Sequence, residues 1–270
     1  MVTALERLGW IRYPKDPALL AWVAAALPFA RQALAERAAP LRCGDTWDVG
    51  LEALPNDHAG QVADVPLAGR VIDEINGRFG VRPLHRAQVS TVFPGYPRPW
   101  DAESEAAYSY RLKRDAAHVD GILPEGPNRR RMIREPHAWI LGLPLTDAGP
   151  GASPPVVWEG SHKIIARALH AALAEHDETI WPDVDVTEAY HAARRKVFET
   201  CKRVVVHARP GEAVLIHRLA LHGIQPWQKD TDAPDEARII AYFRPELAGG
   251  IKEWIAGTQD TYRARNSVGR

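Results

Sequence analysis

Apolar and polar positions divide the chain into short alternating stretches and longer helical ones. Residues 8–14, Leu-Gly-Trp-Ile-Arg-Tyr-Pro, predict a short strand ended by Pro14. Asp16 then caps a helix that has Pro17 in its first turn and Leu19, Leu20, Trp22, Val23 and Leu27 as apolar positions, with a further helical stretch over 29–38. Residues 40–66 scatter Pro, Gly, Asp and Asn and predict irregular chain, with Trp47 and Asn56-Asp57 as loop packing and an Asx turn. A helix over 67–79 follows, with Val71, Ile72, Ile75 and Phe79 on one face and Gly80 as its stop.

From residue 81 the texture changes to β. Residues 86–93 alternate until the break at Pro94-Gly95-Tyr96-Pro97, and residues 107–112 have strand composition. A Pro, Gly and Arg loop is expected over 123–136, then a near-continuous apolar strand over 137–145 and a further strand at 156–158. Helices are predicted over 163–176, with Ser161 as the cap, and over 186–201, with Asp185 as the cap. Strands over 203–207, 212–217 and 237–243 follow, and a short helical or irregular tail runs to Arg270. The helices gather at the start and in one insertion, while the strands form one set. That predicts a single domain, 1–270, mainly β with helices (α+β): an antiparallel β core decorated by N-terminal and inserted helices.

Composition narrows the classes. The chain has 270 residues, 46% hydrophobic, enough for a substantial core. Lys plus Arg is 34 and Asp plus Glu is 34, so no overall basic field favours nucleic acid. Two separated cysteines, Cys43 and Cys201, provide neither a disulfide framework nor a Cys-rich zinc site, and fit a reducing compartment. The N-terminal residues lack an apolar signal core, and no run is read as approaching the roughly 18–20 apolar residues of a membrane span. The expectation is a cytoplasmic protein with no membrane or nucleic-acid partner.

The candidate chemistry lies in Ala116-Ala117-His118-Val119-Asp120-Gly121. On a strand, residues i and i+2 share a face, so His118 and Asp120 would present one nitrogen and one oxygen donor together. A third ligand from the distant stretch 211–223, which holds His217 and His222, would complete two histidines and one carboxylate. That donor set leaves positions open for substrate and O2 and suits non-haem Fe(II). Arg129, Arg130, Arg131 and Arg134 follow the His-x-Asp; the bland reading is a solvated face, the sharper one a rim that attracts an anionic substrate. Gln88, Tyr108, Tyr110 and Trp227 are further candidates to face substrate or cosubstrate.

Four landmarks occur in order: His118-x-Asp120; the strand 139–145 leading to Gly160-Ser161-His162; Gly211-Glu212, a strand and Leu221-His222-Gly223; and Arg238 opening a strand. Together they resemble the phytanoyl-CoA dioxygenase family of Fe(II)/2-oxoglutarate oxygenases, and Leu8-Gly9-Trp10-Ile11 resembles that family's opening. The resemblance implies a double-stranded β-helix, a jelly-roll, cupin-like barrel. It implies iron held by His118, Asp120 and His222, with His217 as the rival third ligand. It also implies that Arg238 binds the far carboxylate of 2-oxoglutarate, with Arg244 in reserve. The implied reaction is hydroxylation of a small molecule with release of succinate and CO2. Ile224-Gln225-Pro226-Trp227 and the long spacing from 222 to 238, with 229–236 as an inserted loop, depart from the family pattern. A metal-dependent isomerase or hydrolase, and a non-catalytic binding barrel, are the competing expectations.

Overall fold

The computed structural model describes residues 3–101, 103–229, 231 and 237–256. Most of the tail, and most of the 229–236 loop, lie outside the described residues.

The chain opens with α1 (Ala4–Leu8), closed by a Thr3–Glu6 capping box, and β1 (Trp10–Tyr13). α2 (Pro17–Ala35) is one continuous helix rather than two. It is long and apolar enough to cross a membrane by length and composition, contrary to the expectation that no such stretch exists. Here Leu19, Trp22, Val23, Ala26 and Ala30 are buried, and Trp22 packs on Phe243 with ring centroids 5.9 Å apart. Asp16 caps α2 through Ala18 N–H and also accepts from Arg70 N–H at the start of α3 (Arg70–Phe79).

The remaining elements are β2 (Trp47–Gly50), β3 (Gln88–Val92), α4 (Glu105–Arg114), β4 (Ile122–Glu125), β5 (Arg130–Ile133), β6 (Ile140–Pro144), β7 (Pro155–Trp158), α5 (Ser161–Leu173), α6 (Thr187–Thr200), β8 (Arg203–Val205), β9 (Ala213–Ile216), β10 (His222–Ile224), β11 (Arg238–Phe243) and α7 (Gly250–Ala256). Three expectations fail here. Residues 107–112 are helix, because Ser104 caps the run through Ala107 N–H and Glu, Ala, Leu, Lys and Arg dominate it. The loop expected over 123–136 is a hairpin, and β2 lies in the stretch expected to be irregular.

A six-stranded antiparallel sheet has the order β1-β9-β6-β11-β3-β2, and a three-stranded sheet the order β10-β7-β8. Alternation along β11 sorts its two faces. Ile239, Ala241 and Phe243 join the large core under the helices. Tyr242 faces the other way, into a smaller apolar cluster with Ile140, Val157, Val214 and Ile216, drawn from both sheets. This inter-sheet space holds the candidate site.

Candidate metal centre

His118 and His222 face one another across an isolated antiparallel bridge. His118 N–H donates to His222 O at 2.8 Å, and His222 N–H donates to His118 O at 3.0 Å. The side chains follow, with ring centroids 4.6 Å apart. Asp120, one turn on, places Oδ1 at 3.1 Å from His118 Nε2 and 3.7 Å from His222 Nε2. One ligand atom from each residue lies within 4.8 Å of the others. The same-face expectation is met by a bridge and a turn, not by a strand running through from 107.

The geometry fixes the tautomers. His118 Nδ1 lies 3.0 Å from Ala116 O, and His222 Nδ1 lies 2.9 Å from Ala220 O. A carbonyl only accepts, so each Nδ1 carries the proton and each Nε2 turns a lone pair toward Asp120. Two imidazole Nε2 atoms and a carboxylate oxygen then converge on one place. These donors fit a divalent metal with coordination positions left on the cleft side.

Neighbours hold the ligands in place. Burial alone would raise the Asp120 pKa, but His222, His118 and Arg244 together hold it well below the usual carboxylate range. For His222, burial opposes the charge, and Asp120 outweighs it and raises the pKa. Arg244 Nη1 donates to Asp120 Oδ2 at 3.1 Å, and Nη2 donates to Gln88 Oε1. From behind, Tyr110 Oη donates to Ala117 O at 2.7 Å and Tyr190 Oη accepts from Val119 N–H at 3.0 Å. Asp115 and Ala116 both adopt left-handed backbone, with φ of 53° and 52°. Such residues cost about 1–2 kcal/mol each, and Arg203 helps hold them with a bidentate pair to Asp115 at 2.7 Å. On the opposite side Gly223 lets β10 approach, since a Cβ there would lie 2.1 Å from Asp115 O.

The structure distributes the other candidates differently from expectation. Ser161 is not the cap of α5; that position is Gly160, and Ser161 Oγ accepts from Leu221 N–H at 2.9 Å, so it braces the residue before His222. His217 stands apart from the cleft: its Nδ1 accepts from Leu219 N–H, and its ring lies 4.6 Å from that of His162. Arg238 is buried on β11, and none of its three guanidinium nitrogens has a hydrogen-bond partner among the described residues. It lines a small inter-sheet cavity of about 20 Å³ beside Tyr242. Arg244, the reserve candidate, is committed to Asp120 and Gln88.

His118, Asp120 and His222 sit in a cleft of about 350 Å³, of which Tyr242 is also a wall. Gln88 lines it. Trp227 does not, and packs instead against Cys43, Val92 and Tyr96. Arg129 and Arg131, expected as part of an anion-attracting rim, are likewise not among the residues that line it. Arg130 pairs with Asp185, Arg134 with Glu125 and Asp183, and Arg131 N–H donates to Thr187. Asp183 and Asp185 from the 178–187 segment, with Glu125 on β4, thus answer two of the four arginines, Arg130 and Arg134. Tyr108 lies on α4 and is likewise off the described lining. The cationic groups that do line the cleft are Arg42 and Arg111 together with Arg244, two of them unanticipated because they come from separate segments with no motif around them.

No family model matches the chain, and no curated protein matches it. Among solved structures it is similar to AviO1 from Streptomyces viridochromogenes Tue57, with 16% identity over 91% of this chain and 93% of that one and a TM-score of 0.46. It is also similar to SnoK, a non-heme alpha ketoglutarate dependent carbocyclase from nogalamycin biosynthesis, with 13% identity over 93% and 86% and a TM-score of 0.47. EctD from S. alaskensis with bound Fe is a third, with 14% identity over 92% and 75% and a TM-score of 0.43.

Proposed function

We propose that the chain is an Fe(II)- and 2-oxoglutarate-dependent oxygenase of the phytanoyl-CoA dioxygenase type that hydroxylates a small molecule. The two sheets are then the walls of a double-stranded β-helix. The observation that carries this reading is the convergence of His118 Nε2, Asp120 Oδ1 and His222 Nε2 on one open cleft. Iron held there would supply O2 activation coupled to decarboxylation of 2-oxoglutarate to succinate and CO2, the chemistry that inserts oxygen into a C–H bond.

The chain's own residues have separable roles. The two imidazoles and the carboxylate hold the metal and leave one face free. Arg244 orients Asp120 and keeps it ionised. Arg238 supplies a fixed, planar cation for the far carboxylate of 2-oxoglutarate, and its three unpartnered nitrogens are what such a group would satisfy. Ile140, Ile216 and Tyr242 line the cleft and keep water from its inner wall.

The test is to load the protein with Fe(II) without O2, add 2-oxoglutarate, admit O2 and measure succinate and CO2. Stoichiometric succinate from the parent protein, and none from His222→Ala, is the expected result. A protein that binds iron through these residues yet leaves 2-oxoglutarate intact would sink the reading.

A further inference from the structure

The cleft wall above the metal ligands is unbalanced in charge. Its described lining includes Arg42, Arg111 and Arg244, while its one acid is Asp120. Arg244 and the bound metal would both answer Asp120, so the wall has no anion left over for the other two cations. Arg111 is anchored: Nε donates to Glu103 Oε1 at 2.5 Å, and Glu103 is nearly buried. Arg42 is exposed; its main chain bridges to Trp47, while its side chain makes no hydrogen bond or ion-pair contact among the described residues and acts on Asp48 only through its charge. Both guanidinium groups lie over the Trp47 ring, 5.9 and 5.8 Å from its centroid, which fixes them as a pair facing the cleft. Trp47 is itself pinned, through Nε1 donating to Ser90 Oγ at 3.2 Å. On the same wall the Tyr96 hydroxyl is buried with no hydrogen-bond partner among the described residues.

A buried hydroxyl without a partner, an Arg42 guanidinium with no acid in contact and an Arg111 tied to Glu103 through Nε are what an oxyanion would complete. We propose that Arg42, Arg111 and Tyr96 form the recognition site for an anionic group, a carboxylate or a phosphate monoester, on the primary substrate. The anion binds at the mouth while the carbon skeleton reaches toward the metal ligands. Naming this anion as the substrate's rests on the oxygenase reading; the existence of the anion site does not.

The probes are phenyl phosphate, benzoate and neutral benzamide, titrated calorimetrically into the full chain without added metal. Either anion should bind at least about tenfold more tightly than benzamide, and raising NaCl from about 0.05 to about 0.5 M should weaken it markedly. The tighter of the two anions names the headgroup. Arg42→Gln, an exposed position whose loss leaves the fold intact, should weaken the anion about tenfold or more. Arg111→Lys, which keeps the pair to Glu103, should weaken it less. Arg238→Met should leave it unchanged. Benzamide binding as well as the anions, an unaltered Arg42→Gln, or a loss confined to Arg238→Met would each overturn the assignment. Anion binding that follows this pattern in a protein that never consumes 2-oxoglutarate would retain the site and remove the oxygenase.

Discussion

Arg238 gives a prediction with two opposite signs. Its side chain is 4% exposed, all three guanidinium nitrogens lack hydrogen-bond partners among the described residues, and burial pushes its pKa down, with Tyr242 opposing in part. A cation buried without a partner costs several kcal/mol of desolvation that only a bound anion returns. Arg238→Met puts an apolar chain of similar length against Ile240, Pro144 and Val214, which line the same cavity. In the absence of 2-oxoglutarate this variant should be more stable by about 1–4 kcal/mol, the range found when buried charges are replaced by apolar groups. At about 2–4 °C per kcal/mol for a chain of this size, melting should rise by several degrees. With Fe(II) under anaerobic conditions, 2-oxoglutarate at about one hundred times its Kd should stabilise the parent protein by about 2.7 kcal/mol. It should leave Arg238→Met unmoved, so the variant's lead shrinks by about 2.7 kcal/mol and reverses where that lead is smaller. Differential scanning calorimetry with and without the cosubstrate reads both effects. A variant that melts below the parent without 2-oxoglutarate, or that still gains stability from it, would refute the reasoning.

Three further outcomes are expected. His222→Ala should lose Fe(II) binding measured by anaerobic titration, whereas His217→Ala should retain it, because the His217 ring packs on His162 and not in the cleft; the reverse pattern would reassign the third ligand. Tyr190→Phe strips the acceptor from Val119 N–H between two ligands, and should cost about 1–3 kcal/mol in urea unfolding together with weaker metal binding; an unchanged unfolding midpoint and iron affinity would remove that role. Burial lowers the His162 pKa from 6.5 to about 4, so the unfolded chain binds the extra proton first. Its contribution is intact above pH 6.5 and is lost as pH falls toward 4, about 3 kcal/mol in all. His162→Gln should flatten the stability profile between those limits, and a slope equal to the parent's would count against it.

The sequence displayed the candidate ligands His118, Asp120 and His222, which the fold brings together, because their chemistry is written in residue type and local spacing. His118-x-Asp120 and the histidine before Gly223 needed only the chain's return to the same place. What it concealed are interactions between distant segments. Tyr108, Tyr110 and Leu112 alternate as a strand would, yet Ser104 and the intervening helix formers decide the matter, and the helix then delivers Tyr110 to Ala117. The arginines at 130 and 134 read as an open cationic rim until Asp183 and Asp185, some fifty residues on, fold against them. Arg42 and Arg111 each stand in an undistinguished stretch, and only the pairing of β2 with β3 and the placement of α4 bring them to one tryptophan. The contacts of Arg244 to Asp120 and Gln88 are equally invisible in one dimension, since both partners come from distant segments.

The bridge between His118 and His222 is made by main-chain atoms alone. Backbone hydrogen bonds are indifferent to the side chains they carry, so the scaffold that assembles the metal ligands survives replacement of any of them. Heredity can therefore alter the reactivity of this chain, or silence it, without dismantling the architecture. A lineage that traded one histidine for a residue of another donor type would inherit a finished pocket, with its arginines already in position.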